Sequence, residues 1–242
     1  MRSPVLWAAT GLLLLMGCLQ TRSPIARSSE QISSSTRASA EAVVGGGQRS
    51  PSALERSVLA EVNRLREDPR AYVATLKQWQ GQYRGNILLV PGQNKAIRTV
   101  EGEAALTEAI AAVGATPRLP RMAPLTALDR AAEDHVAAQG ATRTIGHRGN
   151  DGSNSFERIS RHGRSHGRSA EVIDYGWDRA QDIVVDLLVD DGISDRGHRK
   201  ALLDPVYVVA GVACGPHARY GIMCVVEMAE RFEAPPITLA RN

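Results

Sequence analysis

The sequence contains few aromatic residues, few cysteines and little net charge. Aromatic residues make up 4% of the 242 residues, which argues against extensive stacking platforms for single-stranded nucleic acid or sugars. Three cysteines are too few for a small domain held together by disulfides. A formal charge of +3 provides no strong field for binding nucleic acid, and we expect no such partner. What remains is a globular domain with a mainly aliphatic core.

Long apolar runs are also missing, since no run reaches the roughly 18 residues of a membrane span. A shorter apolar stretch follows a basic start at the N-terminus and predicts a signal peptide over residues 1–18. Its last four residues, L-M-G-C, resemble a bacterial lipoprotein box, in which the cysteine is lipidated and becomes the first mature residue. Cys18 is therefore predicted to anchor the chain to a membrane, with plain secretion as the alternative.

Composition changes sharply after the signal peptide. Residues 19–51 are rich in Ser, Gly, Arg and Ala and have almost no bulky apolar residues, so they cannot bury enough surface to offset the entropy of ordering. We interpret them as a disordered tether. A domain over 52–234 follows, with a C-terminal tail over 235–242, and the domain is long enough for one sizeable core.

Local patterns predict the elements of this domain. Ser52 and Glu55 form a capping box at the start of a helix, and Asp68-Pro69 ends that helix and begins another. Apolar spacing predicts further helices over 103–113, 126–139 and 178–189, and short strands over 87–90 and 96–100. His135 lies on the apolar side of its helix, which favours a hydrogen-bonded core residue.

Two nearly continuous apolar runs, 206–214 and 220–229, predict a buried hairpin with its turn over 215–219. Cys214 and Cys224 lie five positions on either side of residue 219. A disulfide across the two strands is reasonable in an exported protein, and two buried free thiols are the alternative.

Four polar residues stand at the ends of predicted elements. His147 and His198 lie in turn-rich loops, Glu171 begins an apolar strand-like segment, and Asp190, next to Asp191, ends the last long helix. Two imidazoles and two carboxylates suit a divalent-cation site or a hydrogen-bonded polar cleft. Spacing alone favours ordinary capping or surface roles.

A basic stretch, R-I-S-R-H-G-R-S-H-G-R, occupies 158–168. Its glycines favour a solvated loop. Arg161, Arg164 and Arg168 are candidates for binding anionic lipid or an envelope polymer, with strong salt dependence.

Several short segments occur in an order that is specific when they are taken together. They are Val62-Asn63-Arg64-Leu65-Arg66, His147-x3-Asp151-Gly152-Ser153, Ala170-Glu171, Asp195-Arg196-Gly197-His198-Arg199 and Gly211-Val212-Ala213. Over residues 54–232 the chain resembles the CAP superfamily of cysteine-rich secretory, antigen 5 and pathogenesis-related 1 proteins, particularly its bacterial signal-bearing members.

The resemblance implies an α+β fold, a three-layer α-β-α sandwich whose central cleft holds two histidines and two acids. His147, Glu171 and His198 match three of the four positions. The second acid is a Glu on the long helix in many members, and Asp190 is preferred here over Asp191. Residues 81–122 look like an elaboration found in a longer subgroup.

The signal peptide and its cysteine predict an exported protein, either a cell-envelope lipoprotein or a secreted one, and the resemblance implies that it acts as a non-catalytic binding module. Its ligand would be an apolar molecule such as a lipid or sterol, or an envelope component. The cleft residues His147, His198, Glu171 and Asp190 could bind Zn²⁺. The alternative is a metal-dependent, peptidase-like hydrolase in which Glu171 is the general base.

Overall fold

The computed structural model describes residues 50–233. The helices within this range are α1 (Ala53–Glu67), α2 (Pro69–Lys77), α3 (Glu103–Ala115), α4 (Thr126–Gly140), α5 (Ser155–His162), α6 (Ala180–Val189) and α7 (Gly197–Leu202). The strands are β1 (Tyr83–Arg84), β2 (Ile87–Leu89), β3 (Ala96–Arg98), β4 (Ala123–Pro124), β5 (Arg164–Tyr175), β6 (Val209–His217) and β7 (Gly221–Glu233). None of these helices is both long and apolar enough to cross a membrane. The predicted signal peptide, Cys18, nearly all of the tether and the C-terminal tail lie outside the described residues.

The predicted caps fix the first two helices. The Ser52 hydroxyl accepts the Glu55 backbone N–H at 3.2 Å, and the Glu55 carboxylate accepts the Ser52 N–H in return. Asp68 caps α2 by accepting the Ala71 N–H at 3.0 Å. The second carboxylate oxygen of Glu55 accepts the Cys214 N–H at 2.9 Å, which fastens the start of α1 to the main sheet.

The main sheet has the strand order β4-β6-β7-β5, and β1, β2 and β3 form a separate small antiparallel sheet. β7 is antiparallel to both β5 and β6, and β4 is parallel to β6. The predicted hairpin is confirmed, but its strands continue further and the turn is shorter than 215–219. Cys214 and Cys224 are directly opposite in this pairing and form the predicted disulfide.

Alternation along the strands places helices on both faces of the main sheet. One face, with Val172, Val226 and Met228, belongs to the large cluster that includes residues of α1 and α6. The other face carries Ile173 and Val225 against α4, and Ala229 against α4 and α5. The predicted α+β architecture with three layers is therefore confirmed.

The prediction of a solvated loop over 158–168 is wrong. Asn154 and Glu157 form a capping box that begins α5, and β5 starts at Arg164 after Gly163. Arg158 and Ile159 are fully buried on the inner side of α5. A capping box can be recognised in sequence, but the glycines and repeated charges that follow it favoured the prediction of a loop. Likewise, His198 lies on the short helix α7 rather than in a loop, and Glu171 lies within β5 rather than at its start.

β5 is an edge strand, since it pairs with β7 and with no other strand in the described range. Its register with β7 shifts between His166 and Ser169, and Gly167 within the shift has φ of 82°. This left-handed conformation favours glycine. The bulge bends the exposed first half of β5 away from regular pairing.

Candidate functional site

The first half of the site joins the loop after α4 to the middle of β5. The ring Nδ1 of His147 donates to the Glu171 carboxylate at 2.8 Å. A carboxylate can only accept, so Nδ1 carries a proton and, when the ring is neutral, Nε2 is the lone-pair nitrogen. The His147 side chain is 54% exposed while that of Glu171 is 2% exposed. The imidazole is thus accessible but is oriented by a buried partner.

Arg158 of α5 completes this half. Its guanidinium donates to the second Glu171 oxygen at 2.6 Å and to the backbone carbonyls of His147 and Ser153. The Arg158 side chain is completely buried. A buried arginine bonded both to the acid and to the histidine backbone fixes these two groups relative to each other.

A second buried carboxyl lies beside Glu171. Glu227 of β7 is its direct partner in the sheet, is fully buried, and accepts the Ser155 hydroxyl at 2.7 Å. Burial and the negative charge of Glu171 raise the pKa of Glu227 well above its ordinary value. Burial alone would also raise the pKa of Glu171, but the hydrogen bond from His147 and the Arg158 charge help to lower it. Glu171 is therefore the charged member of the pair, and Glu227 is the protonated one.

The second half of the site joins the end of α6 to α7. His198 Nδ1 donates to Asp190 at 2.8 Å, and the His198 backbone N–H donates to the other Asp190 oxygen at 2.9 Å. The Asp190 side chain is completely buried and that of His198 is 21% exposed. Asp191 instead accepts the backbone N–H groups of Val100 and Glu101. Of the two acids considered from the sequence, Asp190 is the one that contacts His198.

The two halves meet at the edge of the sheet. The rings of His147 and His198 have centroids 6.1 Å apart with an interplanar angle of 51°. In each ring Nδ1 donates a hydrogen bond to a carboxylate, Glu171 for His147 and Asp190 for His198. Neither Nε2 has a hydrogen-bond partner among residues 50–233. The structure thus brings together all four predicted cleft residues as two histidine–carboxylate pairs.

These residues fit a two-imidazole metal site better than a four-ligand one. A zinc–nitrogen bond is about 2 Å long, and a centroid separation of 6.1 Å is compatible with two imidazoles that share one ion. Glu171 and Asp190 already accept from the Nδ1 atoms, which is how carboxylates orient metal-binding histidines without ligating the ion. In the described part of the chain, no group of three or more His, Cys, Asp or Glu side chains could hold a metal. Further ligands would have to be water or a bound molecule.

The site geometry does not suit Glu171 as a general base. One of its oxygens accepts from His147 and the other from Arg158. Its side chain is 2% exposed, and its lowered pKa makes it a weaker proton acceptor. A general base has to reach the proton that it removes, and this carboxylate faces its two partners instead.

The remaining predicted residues lie elsewhere. Arg161 forms ion pairs with Asp151 at 2.7 Å and Asp134 at 3.4 Å, and Arg168 pairs with Asp204 at 3.0 Å. Arg164 is exposed on β5. Arg161 lies on α5, whereas Arg164 and Arg168 lie on β5, and anion binding by them stays a prediction. His135 is fully buried with Nε2 2.9 Å from the Gly146 carbonyl, which confirms its predicted role in the core.

Two residues of the site were missed from the sequence, Arg158 and Glu227. The capping box before Arg158 was the available signal, because it places Arg158 one turn into a helix beside the buried Ile159. Glu227 sits inside an apolar strand, and an acid in such a run is itself a signal, since buried carboxyls need partners.

The fold and the site together define a three-layer sandwich with paired histidines and acids at a sheet edge. The chain belongs to the CAP family, described as the cysteine-rich secretory protein family, whose model matches residues 59–228. No curated protein matches the chain. Among solved structures, an outer surface protein of Borrelia burgdorferi is similar, with 21% identity over 47% of this chain and 80% of that one, and a TM-score of 0.40.

Proposed function

We propose that the chain is an exported CAP domain that acts as a non-catalytic binding module at the cell envelope, with a divalent metal held by His147 and His198. The observation that carries this proposal is the pairing of each histidine with a buried carboxylate, which leaves both Nε2 atoms free at adjacent rings. Bound zinc would present a positive charge and open coordination positions to an oxygen-bearing ligand.

The ligand class follows from the family resemblance and from composition. CAP proteins are expected to bind an apolar molecule, such as a lipid or sterol, or an envelope component. Aromatic residues make up 4% of this chain, so aliphatic side chains would supply most of the contacts to an apolar ligand. The hydrolase alternative is less well supported, because its general base would be Glu171 and both oxygens of Glu171 already accept hydrogen bonds from His147 and Arg158.

Zinc titration by calorimetry tests the metal site. In the full chain carrying Cys18→Ala, we expect binding at micromolar zinc, and at least about tenfold weaker binding after His147→Ala or His198→Ala. His166→Ala is the matched control, because this histidine is exposed and pairs with Glu233 away from the cleft. The absence of binding by the parent chain at micromolar zinc, or equal loss in the control, would refute the metal site.

Cys18→Ala also tests the membrane anchor by cell fractionation. We expect the parent chain in the membrane fraction and the variant in the soluble or secreted fraction, because one acyl anchor is removed with the cysteine. The same membrane fractionation for parent and variant would refute lipidation at Cys18, whereas a parent chain found in the secreted fraction would support plain secretion.

A further inference from the structure

The segment before α3 is hydrogen-bonded to the loop between α6 and α7. Asp191 accepts the backbone N–H groups of Val100 at 2.6 Å and Glu101 at 2.8 Å. In return, the Glu101 carboxylate accepts the Gly192 N–H at 2.8 Å. These reciprocal bonds join the 81–122 elaboration to the loop that separates Asp190 from His198.

Two arginines of this loop and of α7 connect it to the same segment. Arg196 donates to both oxygens of Glu101 at 2.6 Å each, and to Glu108 of α3 at 2.8 and 3.0 Å. The same guanidinium donates to the Asp190 carbonyl at 2.9 Å. Arg199 also reaches Glu108, at 2.7 Å, and donates to the Val189 carbonyl at 2.9 Å.

The geometry of this network makes it stronger than ordinary surface ion pairs. Single exposed pairs contribute little to stability, but a guanidinium that binds carboxylates in two-point fashion fixes both distance and orientation. The Arg196 side chain is 11% exposed, so solvent screens these bonds only in part. Hydrogen bonds from Arg196 and Gly192 lower the pKa of Glu101 to about 2, which keeps it charged.

The loop itself is held in a conformation that its residues do not favour. Asp190 and Arg196 have φ of 56° and 54°, in the left-handed region. Residues with a Cβ atom adopt this region at a cost, and they keep it where the surrounding contacts determine it. Asp190 is the acid that orients His198, and Arg196 is the residue that Glu101 and Glu108 hold. The contacts of α3 and its preceding segment therefore bear directly on the backbone that carries the second half of the cleft.

We propose that Glu101 and Glu108 are positioning residues for the cleft, which act through Arg196 and the 190–196 loop to aim His198 at His147. This inference rests on the proposed function, because it assigns a role in the same metal site. In the described range the hydrogen-bond partners of these two carboxylates are Gly192, Arg196 and Arg199, not the histidine rings. They hold the loop so that Asp190 receives both the ring Nδ1–H and the backbone N–H of His198.

The test compares the full chain carrying Cys18→Ala with the same chain carrying Glu101→Ala and Glu108→Ala. Alanine is the best helix former, so α3 should persist. Glu67→Ala is the matched control, because it removes an exposed carboxylate that pairs with Arg121 far along the chain from the cleft. Arg196→Lys is a second variant that keeps the charge but cannot bridge both acids. If the double variant does not fold, the same measurements on Arg196→Lys decide whether the two acids position His198.

The first measurement is the ¹⁵N spectrum of the imidazole rings without metal, which reports which ring nitrogen carries the proton. We expect His198 to be held as the Nδ1–H tautomer in the parent and to shift toward a mixture in the double variant. His147 is an internal control, because Glu171 and Arg158 hold it from the other side. A His198 spectrum that is the same in parent and variant would overturn the proposal.

The second measurement is zinc calorimetry on the same proteins. We expect the double variant to bind about tenfold more weakly, as is typical when a group that orients a metal ligand is removed, while Glu67→Ala binds like the parent. Affinity within twofold of the parent would overturn the positioning role. If the parent binds no zinc, the metal site of the proposed function fails, and the imidazole spectrum alone decides whether the two carboxylates position His198.

Discussion

Asp174 of β5, which is buried, and Asp186 of α6, which is half-buried, form an acid pair. Asp174 is 2% exposed, and both of its carboxyl oxygens are buried. Burial raises the pKa of Asp174 well above its ordinary value, and the charge of Asp186 raises it further. Burial likewise raises the pKa of Asp186 to about 6. The folded chain therefore binds these protons more tightly than the unfolded chain does.

The acid pair predicts that part of the stability is lost as pH rises. The stabilisation is fully present below pH of about 4, where both states are protonated, and is lost as pH increases through the raised pKa values. Asp174→Asn removes one ionisable group. We expect it to raise the free energy of unfolding by about 1–2 kcal/mol at pH 8 relative to the parent, with little difference at pH 4.

Urea unfolding at pH 4, 6 and 8 checks this prediction. Asp178→Asn is the control, because this aspartate is exposed at the turn between the same two elements. A difference between Asp174→Asn and the parent that is the same at all three pH values would contradict the assignment.

Arg158 is the cation that allows Glu171 to remain charged in the interior. Removing it leaves a buried carboxylate next to a second buried carboxyl, and breaking a buried ion pair typically costs about 3–5 kcal/mol. We expect Arg158→Met to lower the free energy of unfolding by about 3 kcal/mol. Guanidinium unfolding measures the change. Arg143→Met, at an exposed arginine, is the control and should change the free energy of unfolding by less than about 0.5 kcal/mol. Equal changes in the two variants would contradict a stabilising role for the buried Arg158 charge.

At the scale of elements, the packing of α4 on the sheet depends on one glycine. A Cβ atom at Gly211 of β6 would lie 2.1 Å from the Asp129 backbone nitrogen of α4. The backbone of α4 cannot rotate out of the way as a flexible side chain can, so Gly211→Ala must push α4 away from β6. We expect a loss of at least about 3 kcal/mol in the free energy of unfolding, or failure to fold.

Gly114 of α3 provides the contrasting case. A Cβ atom there would meet Val73 at 3.6 Å, an ordinary contact. Gly114→Ala should therefore stabilise the chain by about 0.5–1 kcal/mol, through helix propensity. Thermal unfolding of the two variants beside the parent separates the predictions, and a destabilised Gly114→Ala would show that α3 is packed more tightly than this distance indicates.

The elements could be predicted where a local signal fixes them. The Ser52 capping box, Asp68-Pro69 and the apolar hairpin gave α1, α2, β6 and β7, since capping groups and apolar runs act over a few neighbouring residues. The first half of β5 could not be read in the same way, and the capping box that begins α5 was outweighed by the glycines and charges that follow it. Glycines and charges in this stretch favour a loop, whereas Arg158 is buried against Glu171, which lies 13 positions away on the next element.

At the scale of the whole molecule, the resemblance gave the layers, the family and four of the cleft residues. It could not give the connection between the cleft and the segment at 81–122. That connection consists of side-chain bonds from Glu101 and Glu108 to Arg196 and Arg199, across about 90 residues of sequence. Such contacts depend on how α3 packs against α6. Hydrophobic periodicity in the sequence does not predict this packing.

The irregular first half of β5 has a consequence for copies of the protein that are close together. A long exposed strand edge is a template on which another chain can add a strand. Here the bulge at Gly167 interrupts the even spacing of N–H and C=O groups, and the exposed Arg164 and Arg168 would repel their equivalents on a second copy. Neighbouring copies can therefore lie close together without their sheets merging into a continuous one.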